Sequence, residues 1–158
     1  MRAPQFKDGP MLAGPILLVE DNDDDIVLTL RAMKKSQITT QIVVTRDGAE
    51  ALEYIFGAGA YTETGTTSLP SIVLLDLKLP RIDGMETLSH LRANELTRLM
   101  PVIILTSSDE QRDIKECYRL GANSYLRKSG DFAEFTRLMG TLHTYWQANE
   151  IATPTARS

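Results

Sequence analysis

The sequence predicts an α/β fold, a doubly wound parallel sheet of five strands with helices on both faces. Three observations carry that prediction. Short aliphatic runs stand at Ile16–Val19, Gln41–Val44, Ile72–Leu75, Val102–Leu105 and Ser124–Leu126, most of them apolar without alternation. Strands buried on both faces read in this way. The intervals between the runs are long enough for helices and carry apolar residues at helical spacing, so each crossover can return the chain to a parallel neighbour. At 158 residues, with 42% hydrophobic and 24% charged residues, the chain has the size and composition of one domain with a real core.

The elements follow in order. The first strand ends abruptly in "ILLVEDNDDDIVL", where Glu20, Asp21, Asp23, Asp24 and Asp25 place five carboxylates in six positions. Asp24 is a plausible cap for the first helix, whose inner face is Ile26, Leu30 and Met33. The second strand leads to a helix with Ala51, Leu52 and Ile55 inward. The third strand ends in Asp76 and is followed by a helix facing inward through Met85, Leu88 and Leu91. After the fourth strand comes Thr106, and Ser107 with Glu110 reads as a capping box for the helix of Ile114, Cys117 and Leu120. The fifth strand runs into Lys128. From Asp131 onward Phe132, Phe135, Met139, Leu142 and Trp146 recur at spacings of three and four, with Leu138 and Tyr145 widening the stripe. Three stretches fall outside the pattern: an N-terminal arm (Met1–Gly14), a Gly/Thr-rich loop (Gly57–Pro70) and a tail ending in Ile151–Ser158. These are expected to be flexible. The folded domain is placed at residues 15–147, with 148–158 as tail.

Composition excludes several classes of function. A net charge of −4 and a pI near 5.2 leave no basic face for nucleic acid. There is no run of membrane-spanning length and no apolar signal-peptide core, which points to a cytoplasmic protein without membrane attachment. The single Cys117 cannot form an internal disulfide and reads as a small core residue.

In an open α/β sheet the ligand site lies outside the carboxyl ends of the strands, near the point where strand order reverses. Those ends bring Glu20, Asp21, Asp76, Thr106 and Lys128 to one rim. Each has a bland reading: a capped loop for the acidic cluster, a β-former for Thr106, a solvated amine for Lys128. Asp76 resists it, because an ionised side chain directly after a central strand is expensive unless paired or metal-bound. Three facing carboxylates must raise a pKa or recruit a cation. Few hard oxygen ligands suit Mg²⁺, whereas His90, His143 and Cys117 lack Zn²⁺ spacing. An EF-hand reading fails, since the turn glycine is replaced by Ile26 and the bidentate twelfth position by Ala32.

The Glu-Asp pair after the first strand, the aspartate of "LLDLKLPRIDG", the threonine of "ILTSS" and the lysine of "YLRK" resemble the receiver domain of two-component response regulators, from about Pro15 to Trp146. The resemblance implies a flavodoxin-like (βα)5 sandwich with strand order 2-1-3-4-5. It implies that Asp76 is the phosphoacceptor, that Asp21, Asp76 and the backbone carbonyl of Lys78 bind Mg²⁺ directly, and that Glu20 helps through water. Thr106 and Lys128 would bind phosphoryl oxygens and Tyr125 would be the aromatic switch residue. The donor would be a sensor histidine kinase, and any self-dephosphorylation would be slow, so the protein is expected to be a switch and not a turnover enzyme. Chemistry agrees, for a carboxylate needs no separate base to attack phosphorus. An aspartyl-phosphate phosphatase would need a second acid where Lys78 stands, and a Rossmann binder would need a Gly-rich turn after Val19.

Ser129 departs from the family pattern, in which a proline with a cis peptide follows the lysine. A cis bond without proline costs about 2.5–4 kcal/mol, so either the site holds that strain or the loop takes another path. The long Gly57–Pro70 loop, the Lys-Ser pair and the "LHTYW" ending most resemble the single-domain regulators of bacterial phytochromes. With no output module expected after the last helix, signalling would run through protein contacts, the face of the fourth helix, fifth strand and fifth helix changing shape on phosphorylation. The alternative is a phosphorelay intermediate that passes the group to a histidine phosphotransfer protein. The breadth of the final stripe further predicts a homodimer through the last helix, with Leu142, Tyr145 and Trp146 in the interface and the two aromatics as anchors. The competing reading packs the whole stripe on the sheet. Gly140 favours that packing or a close helix approach, since glycine inside a helix costs about 1 kcal/mol relative to alanine.

Overall fold

A computed structural model of the chain describes residues 14–57 and 69–149. The N-terminal arm before Gly14, most of the Gly/Thr-rich loop and the Ile151–Ser158 tail lie outside the described residues. Strands β1 (Ile16–Val19), β2 (Ile42–Thr45), β3 (Ile72–Leu75), β4 (Val102–Thr106) and β5 (Ser124–Arg127) alternate with helices α1 (Asp23–Lys35), α2 (Gly48–Phe56), α3 (Gly84–Ala93), α4 (Gln111–Arg119) and α5 (Phe132–Ala148). All strand pairs are parallel and the order is β2-β1-β3-β4-β5, as expected. β2 begins one residue later than the aliphatic run suggests. Gln41 still serves the ladder, because its carbonyl accepts the Ile16 N–H at 2.9 Å.

Alternate residues of each strand feed two cores. Leu17, Val19, Val73, Leu75, Val102 and Ile104 face α2, α3 and α4 through Ala51, Ile55, Leu88, Leu91 and Cys117. Ile16, Leu18, Ile72, Leu74, Ile103 and Leu105 face α1 and α5 through Ala32, Met33, Phe135, Met139 and Trp146. β1, β3 and β4 are buried along their whole length, and each fully buried aliphatic side chain contributes about 1.5–3 kcal/mol. Cys117 is fully buried, and burial pushes its thiol up to about 11, so it is unreactive.

Three local expectations are corrected. The cap of α1 is Asn22, not Asp24: its side chain accepts the Asp25 N–H at 3.0 Å. The chain already leaves β1 in an extended conformation at Asn22, and this fixes the cap position. The Ser107–Glu110 capping box does not form. Glu110 occupies the N-cap without a side-chain bond. Ser108 instead donates to Asp113 at 2.7 Å and accepts the Glu110 N–H at 3.4 Å, while Ser107 faces solvent.

The third correction concerns α5. Phe135, Met139 and Trp146 form one inward stripe, with Leu138 and Leu142 partly buried against the same core. Trp146 is therefore a core residue and not a free dimer anchor. It falls eleven residues after Phe135, close to three whole helical turns, and so returns to the sheet-facing side. Tyr145, one residue off the stripe, is 64% exposed and stands edge-on to Trp146. Gly140 marks the close approach of α5 to α1. A β-carbon there would lie 3.4 Å from the Ser36 hydroxyl, which donates to the Thr136 carbonyl at 2.9 Å.

His143 borders a small apolar cavity lined by Ile16, Met33, Ile72, Met139, Leu142 and Trp146, among others. The buried Trp146 indole N–H has no hydrogen-bond partner among the described residues. Burial holds the His143 pKa below the ordinary 6.5. The unfolded chain consequently takes up the proton first as pH falls, so stability present above 6.5 is lost as pH drops toward the folded value. In thermal melts taken between about pH 7.5 and 5.5, the wild type should lose stability relative to His143→Gln as the pH falls, whatever the shared contribution of the other titrating groups. Identical slopes in the two proteins would contradict this environment.

Candidate functional site

The rim at the carboxyl ends of the strands is assembled by the sheet itself. β1 and β3 pair with Val19 opposite Leu75, so the next residues, Glu20 and Asp76, emerge side by side where the strand order reverses. The Asp76 N–H donates to the Val19 carbonyl at 3.1 Å, and the Glu20 N–H to the Thr45 carbonyl at 3.0 Å. On the other side, the Lys128 N–H donates to the Thr106 carbonyl at 2.8 Å and carries the lysine past the end of β4. Glu20, Asp76 and Thr106 are buried and Asp21 is exposed.

Lys128 is the hub. Its ammonium donates to Glu20 at 2.5 Å, to Asp25 at 2.9 Å and to Asp76 at 3.1 Å, which uses all three of its protons. Burial disfavours the Lys128 charge, but the hydrogen bonds to Glu20 and Asp25 and the Asp76 charge outweigh it and raise the pKa. Burial also pushes the Glu20 carboxyl up to about 7, against the Lys128 hydrogen bond and with the Asp76 charge adding to it. The other Asp76 oxygen accepts the Leu77 N–H at 2.7 Å.

One ammonium thus faces Glu20, Asp25 and Asp76, with Asp21 a fourth carboxylate beside them. Negative charge remains in excess. Glu20, Asp21 and Asp76 each bring an oxygen within 4.8 Å of the others, a cluster able to hold a metal ion. An all-oxygen set at this spacing fits a hard divalent cation, whose charge would compensate the surplus.

The loop after β3, which carries Lys78, is braced from two sides. The Gly84 N–H donates to the Leu77 carbonyl at 2.9 Å, and a β-carbon on Gly84 would come within 2.1 Å of the Asp76 carbonyl oxygen, so only glycine fits. Arg81, at φ 62°, donates twice to Asp47 at 2.9 Å, and the Gly48 N–H donates to the Ile82 carbonyl at 3.1 Å. The paired guanidinium holds the Asp47 carboxyl below its usual range despite the opposing effect of burial. Asp25, Asp47 and Arg81 were not marked as site residues by sequence reasoning.

Around β5, the Tyr125 hydroxyl donates to the Ser108 carbonyl at 2.8 Å, two residues beyond Thr106, while the Tyr125 N–H donates to the Tyr118 hydroxyl at 3.2 Å. The Thr106 hydroxyl oxygen accepts the Ser108 N–H at 3.4 Å. No peptide bond among the described residues is cis. The path after Lys128 is therefore trans, and Ser129 accepts the Asp131 N–H and donates to Glu134, each at 3.1 Å, at the start of α5.

Fold and rim together define a doubly wound receiver-type architecture, and comparison with known proteins agrees. Residues 16–139 match the response regulator receiver domain, and the chain belongs to that family. Among its relatives, the probable methanogenesis regulatory protein FilR2 of Methanothrix harundinacea is 40% identical over 131 residues, 83% of this chain and 82% of FilR2. The phosphorylated cyanobacterial phytochrome response regulator RcpA superposes with a TM-score of 0.80 at 32% identity, covering 89% of this chain and 99% of RcpA. The Mn²⁺-bound form of the response regulator Rcp1, a protein known from Synechocystis, gives a TM-score of 0.78 at 30% identity, covering 89% and 99%. The chain is thus a receiver-domain response regulator related to the phytochrome regulators. Among the described residues no helix is long and apolar enough to cross a membrane.

Proposed function

We propose that this protein is a cytoplasmic response regulator whose receiver domain accepts a phosphoryl group on Asp76 from a sensor histidine kinase, of the bacterial phytochrome type, with Mg²⁺ held by Asp21, Asp76 and the Lys78 carbonyl and aided by Glu20. The observation that carries the reading is the buried Asp76 carboxylate, fixed by the Leu77 N–H on one oxygen and facing Lys128 with the other. That the regulator RcpA has been seen phosphorylated and Rcp1 with Mn²⁺ supports it.

An Asp76 oxygen attacks the phosphorus of a phosphohistidine. The O–P bond forms, the P–N bond breaks, and its electron pair stays on the imidazole nitrogen, which takes up a proton. Lys128 supplies a point charge to the transferring oxygens and Thr106 a hydroxyl donor. Asp21, Asp76 and the Lys78 carbonyl would hold a divalent ion, which when bound would supply positive charge against the phosphoryl oxygens. Water later attacks the same phosphorus; the new O–P bond forms as the Asp76 O–P bond breaks, its electron pair stays on the carboxylate, and inorganic phosphate leaves. This reset is slow, so the domain acts as a switch.

Thr106 and Tyr125 form the switch. Drawing the Thr106 hydroxyl toward a phosphoryl oxygen loosens the loop to which Tyr125 is bonded through Ser108. A complete population change needs about 5.5 kcal/mol of differential stabilisation, so a partner contact at the α4-β5-α5 face contributes part of it. Incubation with Mg²⁺ and acetyl phosphate tests the proposal: intact mass should show one added phosphoryl group that resists acid and is lost in base. A protein that gains none refutes it.

The same protein dimerises through α5, with exposed Tyr145 as anchor and Leu142 beside it. The support is the 64% exposure of a large aromatic at the helix end. Sedimentation at micromolar concentration should show a dimer that Tyr145→Ala weakens. A wild type that stays monomeric with and without phosphodonor rules it out.

A further inference from the structure

We propose that Asp25, in the first turn of α1, competes with the phosphoryl group for Lys128 and so limits how tightly the phosphorylated state is held. The inference rests on Asp76 being the phosphoacceptor. Lys128 has three protons and three carboxylate partners, Glu20, Asp25 and Asp76. Two of these have other duties, since Glu20 and Asp76 belong with Asp21 to the cluster able to share a cation, and Asp25 does not. Its charge is directed at the lysine alone.

Phosphorylation changes the three partners unequally. The Asp76 oxygens become part of a neutral acyl linkage, and Glu20 belongs to the cluster that would share a bound cation. Asp25 keeps its full charge. Its backbone cannot withdraw, because the Asp25 N–H is bound by the Asn22 cap that starts α1. A dianionic phosphoryl group and Asp25 then draw on the same ammonium and repel each other at short range. The Asp25 side chain is 37% exposed, so a neutral amide of the same shape is readily solvated there.

Asp25→Asn removes the charge while preserving size. Asp24→Asn is the matched control: it makes the same charge change one residue away, on an exposed side chain that has no assigned contact with Lys128. Two measurements decide. In metal-free protein the NMR resonance of the Lys128 ammonium should move in Asp25→Asn and stay in place in Asp24→Asn. With Mg²⁺, Asp25→Asn should bind beryllofluoride, a phosphoryl mimic, roughly three- to tenfold more tightly than wild type, and Asp24→Asn should bind as wild type does. Unchanged or weaker binding by Asp25→Asn, or equal tightening in both variants, overturns the competition alone. A wild type that takes up no beryllofluoride overturns the phosphoacceptor reading and the competition with it.

Discussion

Asp76→Asn is expected to abolish covalent phosphoryl uptake completely. The amide keeps the shape of the carboxylate and the bond from the Leu77 N–H. It loses the anionic oxygen that forms the bond to phosphorus, and no nearby carboxylate is placed to replace it. Glu20 is bonded to both Lys128 and the Asn22 N–H, and Asp25 is turned to Lys128. Asp21 is exposed on the rim. The fold should persist, since Asp76 sits beyond the last residue of β3 and the variant removes a buried charge from a crowded acidic cluster. Intact-mass spectra after incubation with Mg²⁺ and acetyl phosphate give the answer. Labelling of the variant to the wild-type level would move the phosphoacceptor elsewhere.

The second large effect is expected from Asp21→Ala. Among the described residues no hydrogen bond or ion pair of Asp21 is part of the site's bracing, yet its carboxylate completes the group of three able to hold a cation. Truncation should therefore spare the fold and remove metal binding. A ligand at a hundredfold excess over its Kd stabilises a protein by about 2.7 kcal/mol, and that increment, seen in wild-type melts with and without Mg²⁺, should vanish in the variant. The metal-free variant should melt slightly higher than metal-free wild type, because one carboxylate fewer repels Glu20 and Asp76. Mg²⁺-dependent labelling should be lost with the stabilisation. Metal stabilisation that survives in Asp21→Ala would exclude it as a ligand.

The sheet was legible because strands buried on both faces must be apolar at every position, and Ile16–Val19, Ile72–Leu75 and Val102–Leu105 are. The rim residues were legible for a related reason: a charged or polar group directly after such a run, as at Asp76, cannot be an accident of surface composition. Asp25 was hidden because its partner Lys128 lies 103 residues away and nothing local distinguishes it from Asp23 and Asp24. Arg81 was hidden because its backbone turns left-handed, at φ 62°, to reach Asp47 on another loop. Trp146 was misread because aromatics at a helix end suggest an interface, whereas helical phase returns it to the Phe135–Met139 stripe.

The bond between the Tyr118 hydroxyl and the Tyr125 N–H has a consequence for the solubility of the folded chain. β5 is an outer strand, with β4 on one side only, and an outer strand's unpaired amides are a template for adding strands from other molecules. A side chain from α4 occupies the amide at Tyr125, near the middle of a strand only four residues long. Runaway edge-to-edge polymerisation is thereby blocked at that position by a neighbouring helix, without proline or a bulge. The helix that shields the edge also borders the proposed signalling surface around Tyr125, so a rearrangement there that releases Tyr118 would uncover sticky backbone and that surface together.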